Sequence, residues 1–434
     1  MSSDARTKIV KNAVLIDGSG MEPLKNAGLL IKGNTILEVG EIRDQYPTHG
    51  TDVEVIDVEG KTIMPGLIDA HSHLTYNDEM AKIPSMFYFT DPTHTIEYNT
   101  IRSALNAKIF LDSGVTTMRD IGSRGGIAVA VRDAVNKGHI PGPRIVASGP
   151  IISGTAGLVD FHPNWIKIDP HFNLGVIADG KEELVKIVRQ QVKMGVDNIK
   201  IGSTGTWLSV FCGSKTPTMD VDEIQTVVKE AHKFGIRVAS HAEGNEGIIN
   251  SVKGGVDSVE HATYLDEESA DLCRKSGKPV VSTISSYGYF FPLNAPKIYA
   301  VAMPPIFLER IKEDAEAQRN APRFAREGKV KLGLGADTTP PLSEHGTTAM
   351  ELEFETRFAG LSNMEAICAA TSGSAEAVGL KDRVGTLEKG KFADLLVLNG
   401  DPLKDIATLQ DKTRLNLIMK DGIVYKDGLR YSAN

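Results

Sequence analysis

The residues best equipped for chemistry in this 434-residue chain are His71 and His73. They flank Ser72 and end the run Thr62-Ile63-Met64-Pro65-Gly66-Leu67-Ile68-Asp69-Ala70. On an extended strand, positions i and i+2 point to one side. Two imidazoles so placed can share one borderline-soft cation. The same pair could also be two hydrogen-bonded core histidines, so the rest of the chain has to decide. Lys200 stands in Asn198-Ile199-Lys200-Ile201-Gly202, and His241 in Val238-Ala239-Ser240-His241-Ala242. His261 follows Ser258-Val259-Glu260, and Asp337 follows Gly333-Leu334-Gly335-Ala336. Each ends or interrupts a short apolar run, and four of the 11 histidines lie at such ends. A lone histidine there can simply bond a loop, and an aspartate can cap a turn. Independent accidents would not fall so regularly. Lys200, between Ile199 and Ile201, would be costly to bury as a cation. A buried lysine tends to shed its proton. The neutral amine can then add CO2 and become a carbamate, an anionic group able to bridge cations.

These residues need a frame that brings distant strand ends together. From about 63 to 385, apolar runs alternate with helical patterns. The strand candidates are 63–68, 115–119, 144–148, 198–201, 237–240, 258–260, 279–283 and 331–335. Between them lie stretches such as Lys181 to Val192, where Leu184, Val185, Ile187, Val188 and Val192 form one helical stripe. Eight strands alternating with helices predict an α/β fold, a (β/α)8 TIM barrel, with its chemistry at the C-terminal strand ends. A doubly wound sheet fits less well, because no GxGxxG follows the first strand. Residues 8–62 and the far C-terminus have a different texture of short strands, with hairpin signals at Gly33-Asn34 and Asp421-Gly422. The expected organisation is therefore a small β-sandwich domain built from residues 1–62 and 386–434, around a barrel at 63–385.

Composition narrows the function classes. The net charge of −8 and the pI near 5.8 argue against nucleic acid or an anionic membrane as the main partner. Cys212, Cys273 and Cys368 are far apart and form no CxxC pair, so neither a disulfide framework nor a thiolate zinc site is expected. No apolar run approaches the roughly 18 residues of a membrane span, and the polar N-terminus has no signal-like core. The expectation is a cytoplasmic enzyme acting on a small molecule.

The ordered motifs resemble the amidohydrolase superfamily, in its binuclear-metal branch near Xaa-Pro dipeptidases (prolidases) and imidazolonepropionase-like proteins. Residues 65–73, Gly195 to Lys200, Ser240-His241-Ala242, Gly255 to His261, Gly335-Ala336-Asp337, Ala369-Ala370-Thr371 and Val384 to Asp394 carry the resemblance, which spans essentially the whole chain. It implies that His71, His73 and Asp337 bind one divalent ion, usually zinc, and that His241 and His261 bind a second. Lys200, as N6-carboxylysine, and a hydroxide would bridge the two. Asp337 would take the proton of that hydroxide and pass it to the leaving amine, while an amide C–N bond is hydrolysed without a covalent enzyme intermediate. The relatives are commonly homo-oligomers. Deaminases of this superfamily carry a glutamate three residues after the strand-five histidine and usually lack the lysine. Here that position is Gly244 and Lys200 is present, which disfavours deamination. Retention of all six ligands disfavours a non-catalytic structural relative.

Substrate recognition departs from the family pattern. Dipeptidase-like relatives commonly read Thr-Gly-Gly-His-Gly-Asp after strand three, and the histidine helps hold a substrate carboxylate. This chain reads Thr155-Ala156-Gly157-Leu158-Val159-Asp160, and Leu158 cannot bond an anion. Tyr264 matches a tyrosine that the relatives direct at substrate, and His345 follows strand eight closely enough to approach the site. Tyr287, Tyr289, Phe290 and Phe291, followed by residues 303–307, are expected to supply either an apolar wall for a bulky substrate or an oligomer contact, and Trp165 and Trp207 lie in other loops on the same side of the barrel. The leading expectation is hydrolysis of a dipeptide or N-acyl amino acid. The alternative is a xenobiotic amidase for a hydrophobic aryl amide, carbamate or urea.

Overall fold

The computed structural model describes residues 6–42, 53–76, 94–167, 173–288, 305–340 and 343–429, without the side chains of 287–288 and 305–308. The N-terminal strands are β1 (Thr7–Leu15), β2 (Leu24–Lys32), β3 (Thr35–Gly40), β4 (Val53–Asp57) and β5 (Thr62–Pro65). The β2–β3 connection is the expected Gly33-Asn34 hairpin, with Lys32 facing Thr35 and Gly33 at φ 59°. A two-residue turn of this kind needs the left-handed backbone that glycine adopts freely.

The run expected as one barrel strand, 63–68, is two. β5 pairs with β1, whereas β6 (Leu67–Ser72) pairs with β7 (Val115–Asp120). Gly66 makes the break: a Cβ there would lie 2.1 Å from Thr116 Oγ1. Only a residue without a side chain lets the chain cross so close to β7. Periodicity could not show this, because both halves are buried and apolar.

Three parallel strands, β6, β7 and β8 (Arg144–Ala147), form one sheet. A second parallel sheet of seven has the order β10-β9-β11-β12-β13-β14-β15. Its members are β9 (Ile151–Ser153), β10 (Gly175–Ile177), β11 (Asn198–Gly202), β12 (Arg237–Ala242), β13 (Ser258–His261), β14 (Val280–Ser282) and β15 (Leu332–Leu334). β9 and β10 are short additions beyond the eight expected strands. A parallel bridge between Ser148 and Asn198 links the two sheets on one side. On the other side, Asp337 N donates to His71 O at 2.8 Å. At Gly335 a Cβ would lie 2.4 Å from His71 Cβ, so glycine is what permits this approach. The arrangement fits a (β/α)8 barrel. Helices such as Gly180–Met194 and Val221–His232 pack Leu184, Val188 and Val227 against Ile199 and Val238 of the strands.

The C-terminal strands β16 (Leu395–Leu398), β17 (Leu415–Lys420) and β18 (Ile423–Asp427) join the N-terminal ones in a single eight-stranded sheet, through antiparallel pairing of β16 with β5. Asp421-Gly422 turns between β17 and β18, both residues at positive φ. Among the described residues, no helix is long and apolar enough to cross a membrane.

Candidate active site

The strand register decides which side chains meet. Lys200 faces Ala239, Gly202 faces His241, and Ala242 faces His261, so the polar residues gather at the C-terminal ends of β11, β12 and β13. His71 ends β6, His73 lies just beyond it, and Asp337 follows β15. One ligand atom each from His71, His73 and Asp337 lie within 4.8 Å of one another. Asp337 Oδ1 is 3.4 Å from His73 Nε2 and 3.7 Å from His71 Nε2. The rings continue from there: His261 lies 4.5 Å from His71 and 4.6 Å from His241, centroid to centroid. His261 (φ 68°) and Asp337 (φ 44°) adopt left-handed backbone. This costs a non-glycine residue about 1 kcal/mol or more, a strain typical of functional positions.

The hydrogen bonds fix which nitrogens are available. His73 Nδ1 faces Gly122 O at 3.0 Å, and His241 Nε2 faces Gly205 O at 3.1 Å. A carbonyl only accepts, so those nitrogens carry the protons and the opposite ones carry lone pairs. His71 Nδ1 donates to Glu260 Oε2 at 2.8 Å, leaving Nε2 towards Asp337. Burial, reinforced by the Lys200 charge, lowers the His71 pKa to about 4 and that of His241 to about 3. His261 is lowered as well, through burial and the neighbouring imidazoles. Burial pushes Asp337 up, but its hydrogen bond to His73 and the surrounding positive groups outweigh this and hold the carboxyl well below its usual range. At neutral pH His71, His241 and His261 are therefore neutral and Asp337 is a carboxylate, the donor forms a divalent cation requires.

Lys200 is the exposed question inside a buried site. Its side chain is 1% accessible, and its Nζ has no hydrogen-bond partner. Burial lowers its pKa to about 8. An unsatisfied buried amine is expensive, so its presence calls for an explanation. A carbamate held between cations supplies one: the donor set and the unpaired amine both fit the metal centre that the strand ends imply.

Two supporting residues were not singled out from the sequence. Glu260 receives Arg119 Nη2 at 2.7 Å and Ser258 Oγ at 2.5 Å while it holds His71. Arg119 also donates to Ala70 O at 2.7 Å. Burial raises the Glu260 pKa, but Arg119 and His71 overcome that and bring it to about 2. An ionised glutamate thus orients His71 from below, in the way outer groups commonly fix a metal-binding histidine. The available signal was positional: Glu260 is adjacent to His261, and Arg119 is the last basic residue of strand two.

The site opens into a cleft of about 80 Å3. Leu158, Leu174, Ile151, Tyr76, Trp207 and Leu208 wall one side, and Lys200, His71, His73, His241, His261 and Asp337 line the base. Leu158 therefore faces the cleft. Tyr264 is not among its lining residues: the hydroxyl donates to Asp314 Oδ1 at 2.6 Å and Lys215 Nζ sits 4.5 Å from the ring centre. His345 is half-buried beside the site, its Nε2 3.0 Å from His73 O. Trp207 is in the wall, whereas Trp165 is 84% exposed. The apolar wall comes from the segments after β9 and β11. The residues expected to supply it, Tyr289, Phe290, Phe291, Met303 and Pro304, lie outside the described residues, as do the side chains of Tyr287 and of 305–307.

Comparison with known proteins agrees with this geometry. The Amidohydrolase family model matches residues 62–424. Ochratoxinase of Aspergillus niger is 29% identical, over 98% of this chain and 88% of its own length. A prolidase structure complexed with N-methylphosphonate-L-proline superposes with a TM-score of 0.86 at 28% identity, covering 97% of this chain and all of the other. A Xaa-Pro dipeptidase with bound methionine in its active site gives 0.82 at 30% identity, again covering 97% and 100%. The members and named relatives are hydrolases acting on amide bonds. A site of neutral histidines, carboxylate and buried lysine on a matching chain leads to one conclusion: this protein belongs to the amidohydrolase family.

Proposed function

We propose that the chain is a binuclear metal-dependent hydrolase of amide C–N bonds, formed on a closed barrel with the two termini building a second, sandwich-like domain. The observation that carries this reading is the convergence of His71, His73 and Asp337 on a base shared with His241, His261 and the unpartnered Lys200. His71, His73 and Asp337 would hold one ion, and His241 and His261 the other. Lys200 would bind both as a carbamate, its neutral amine adding to CO2 with loss of one proton. Two divalent cations, zinc by donor type, would lower the pKa of water and polarise the substrate carbonyl. Asp337, ionised and beside the imidazoles, takes a proton from water as its oxygen adds to the carbonyl carbon. It returns that proton to the departing nitrogen as the C–N bond breaks.

The wall of Leu158, Leu174, Trp207 and Leu208 would bury an apolar group next to the scissile bond. A dipeptide or N-acyl amino acid fits the relatives named prolidase and Xaa-Pro dipeptidase. A second reading, a neutral aryl amide, carbamate or urea, is favoured by the lining itself, where Lys200 is the one cationic residue among those described. A hydrolysis screen of dipeptides, N-acyl amino acids and neutral aryl amides separates the two. Turnover confined to substrates bearing a carboxylate would contradict the second. In the Lys200→Ala variant activity should fall at least a hundredfold and recover in part with added short carboxylates; full activity would overturn the role given to Lys200.

A further inference from the structure

Helix Pro305–Glu327 sends three polar side chains, spaced i, i+4 and i+8, into the loops around the site. Arg310 Nη1 donates to Ser209 O at 2.6 Å, close to the wall residues Trp207 and Leu208. Asp314 accepts from Ser214 Oγ and from Tyr264 OH, tying the segments after β11 and β13 to the helix. Ile311 and Ala315, on the same side, pack into the cluster containing Trp207, Leu208 and Leu158. Gln318, one turn further, is 1% exposed and donates from Nε2 to Thr283 Oγ1 at 3.1 Å. Thr283 Oγ1 in turn lies 2.8 Å from His261 Nδ1. Gln318 Oε1 is buried without a hydrogen-bond partner.

We propose that Gln318 is a positioning residue: through Thr283, the direction in which its carboxamide points sets which nitrogen of His261 offers a lone pair to the site. Thr283 has one hydroxyl proton. If that proton goes to Gln318 Oε1, the oxygen can accept from His261 Nδ1–H, and Nε2 is left free to bind a cation. If Gln318 presents its NH2 instead, the hydroxyl proton has His261 Nδ1 as its acceptor, and Nε2 carries the ring proton. A half-turn of the carboxamide interconverts the two at almost no steric cost, exchanging an unpartnered Oε1 for an unpartnered NH2. The helix clamps at Arg310 and Asp314 hold Gln318 in reach of Thr283, linking the substrate wall to the histidine.

This inference rests on the proposed metal centre, and zinc titration of the metal-free protein distinguishes the failure of either. The parent should take up two zinc ions. Gln318→Met keeps the volume but removes both polar groups, and it should weaken the second ion about tenfold or more, as loss of an outer partner commonly does. At a pH where its carboxyl is ionised, Gln318→Glu can only accept from Thr283, so it should bind the second ion at least as tightly as the parent. Nitrogen-15 NMR of metal-free Gln318→Glu should show His261 protonated at Nδ1. Undiminished second-ion affinity in Gln318→Met, or weakened affinity in Gln318→Glu, overturns the inference. Should Gln318→Met not fold, Gln318→Glu decides by its affinity and its His261 tautomer. A parent protein that binds no zinc overturns the metal centre itself.

Discussion

At the scale of single residues, burial has opposite consequences for the groups of one site. His71 and His241 are pushed to their neutral, ligating forms, while Asp337 stays ionised because its hydrogen bond to His73 and the nearby basic side chains outweigh desolvation. Burial also disfavours the charged form of Lys200, and that makes it testable in the metal-free protein. Its pKa falls from 10.5 to about 8 in the folded chain. Between those values the unfolded chain binds more protons than the folded one, so stability should rise with pH, by up to about 1.4 kcal/mol per pH unit. Denaturant melts of the metal-free parent and Lys200→Met over pH 8–10 isolate the contribution, which should vanish in the variant. Equal slopes would contradict it. The six proposed ligands were legible in the sequence because titratable residues ending apolar runs stand out against their neighbours. Glu260 and Arg119 were not, since only the folded register reveals that they sit beneath His71. Tyr264 illustrates the converse: its motif position suggested the substrate, yet its hydroxyl is taken by Asp314.

At the scale of elements, the site depends on backbones that approach too closely for side chains. Gly335 lets the end of β15 reach His71, and Gly66 divides the run that looked like one strand. Alternation and propensity cannot see such contacts, because they depend on what lies across the fold. Gly335→Val should therefore displace the Asp337 segment from β6 and lower the metal content. The crowding should also cost about 1–3 kcal/mol of stability. Metal analysis combined with thermal melting checks both, and a variant with the parent's metal content would show that the approach of β15 to His71 is not needed. The parallel strands separated by helical patterns were readable, although the first run is divided at Gly66, whereas β9 and β10 follow β8 with no helix between them among the described residues and did not register. Among the described residues, Leu158 and Trp207 add an apolar wall from earlier loops, and the residues expected to form one after strand seven lie outside those described.

At the scale of the whole molecule, the sheet made from both termini must be joined firmly to the strands that carry the site. Arg144, at the start of β8, pairs with Asp394 and with Asp421, residues 250 and 277 positions away. Burial lowers the Arg144 pKa, but the two carboxylates outweigh it and hold the guanidinium firmly charged. Arg144→Met should leave two carboxylates without their cation and cost up to about 3 kcal/mol, less than a fully buried pair because water reaches Asp421. A lower thermal midpoint with unchanged metal content would place the residue at the junction; an unchanged midpoint would contradict that. The shared sheet itself was legible, because both ends carry hairpin turns around alternating strands, whereas its locking arginine lies within the barrel sequence. Above all of this stands the claim that two cations sit at the strand ends. Metal analysis of the purified protein, grown with zinc and freed of loosely bound ions, tests it most directly. About two divalent ions per chain are predicted, and a value near one or none would contradict the account.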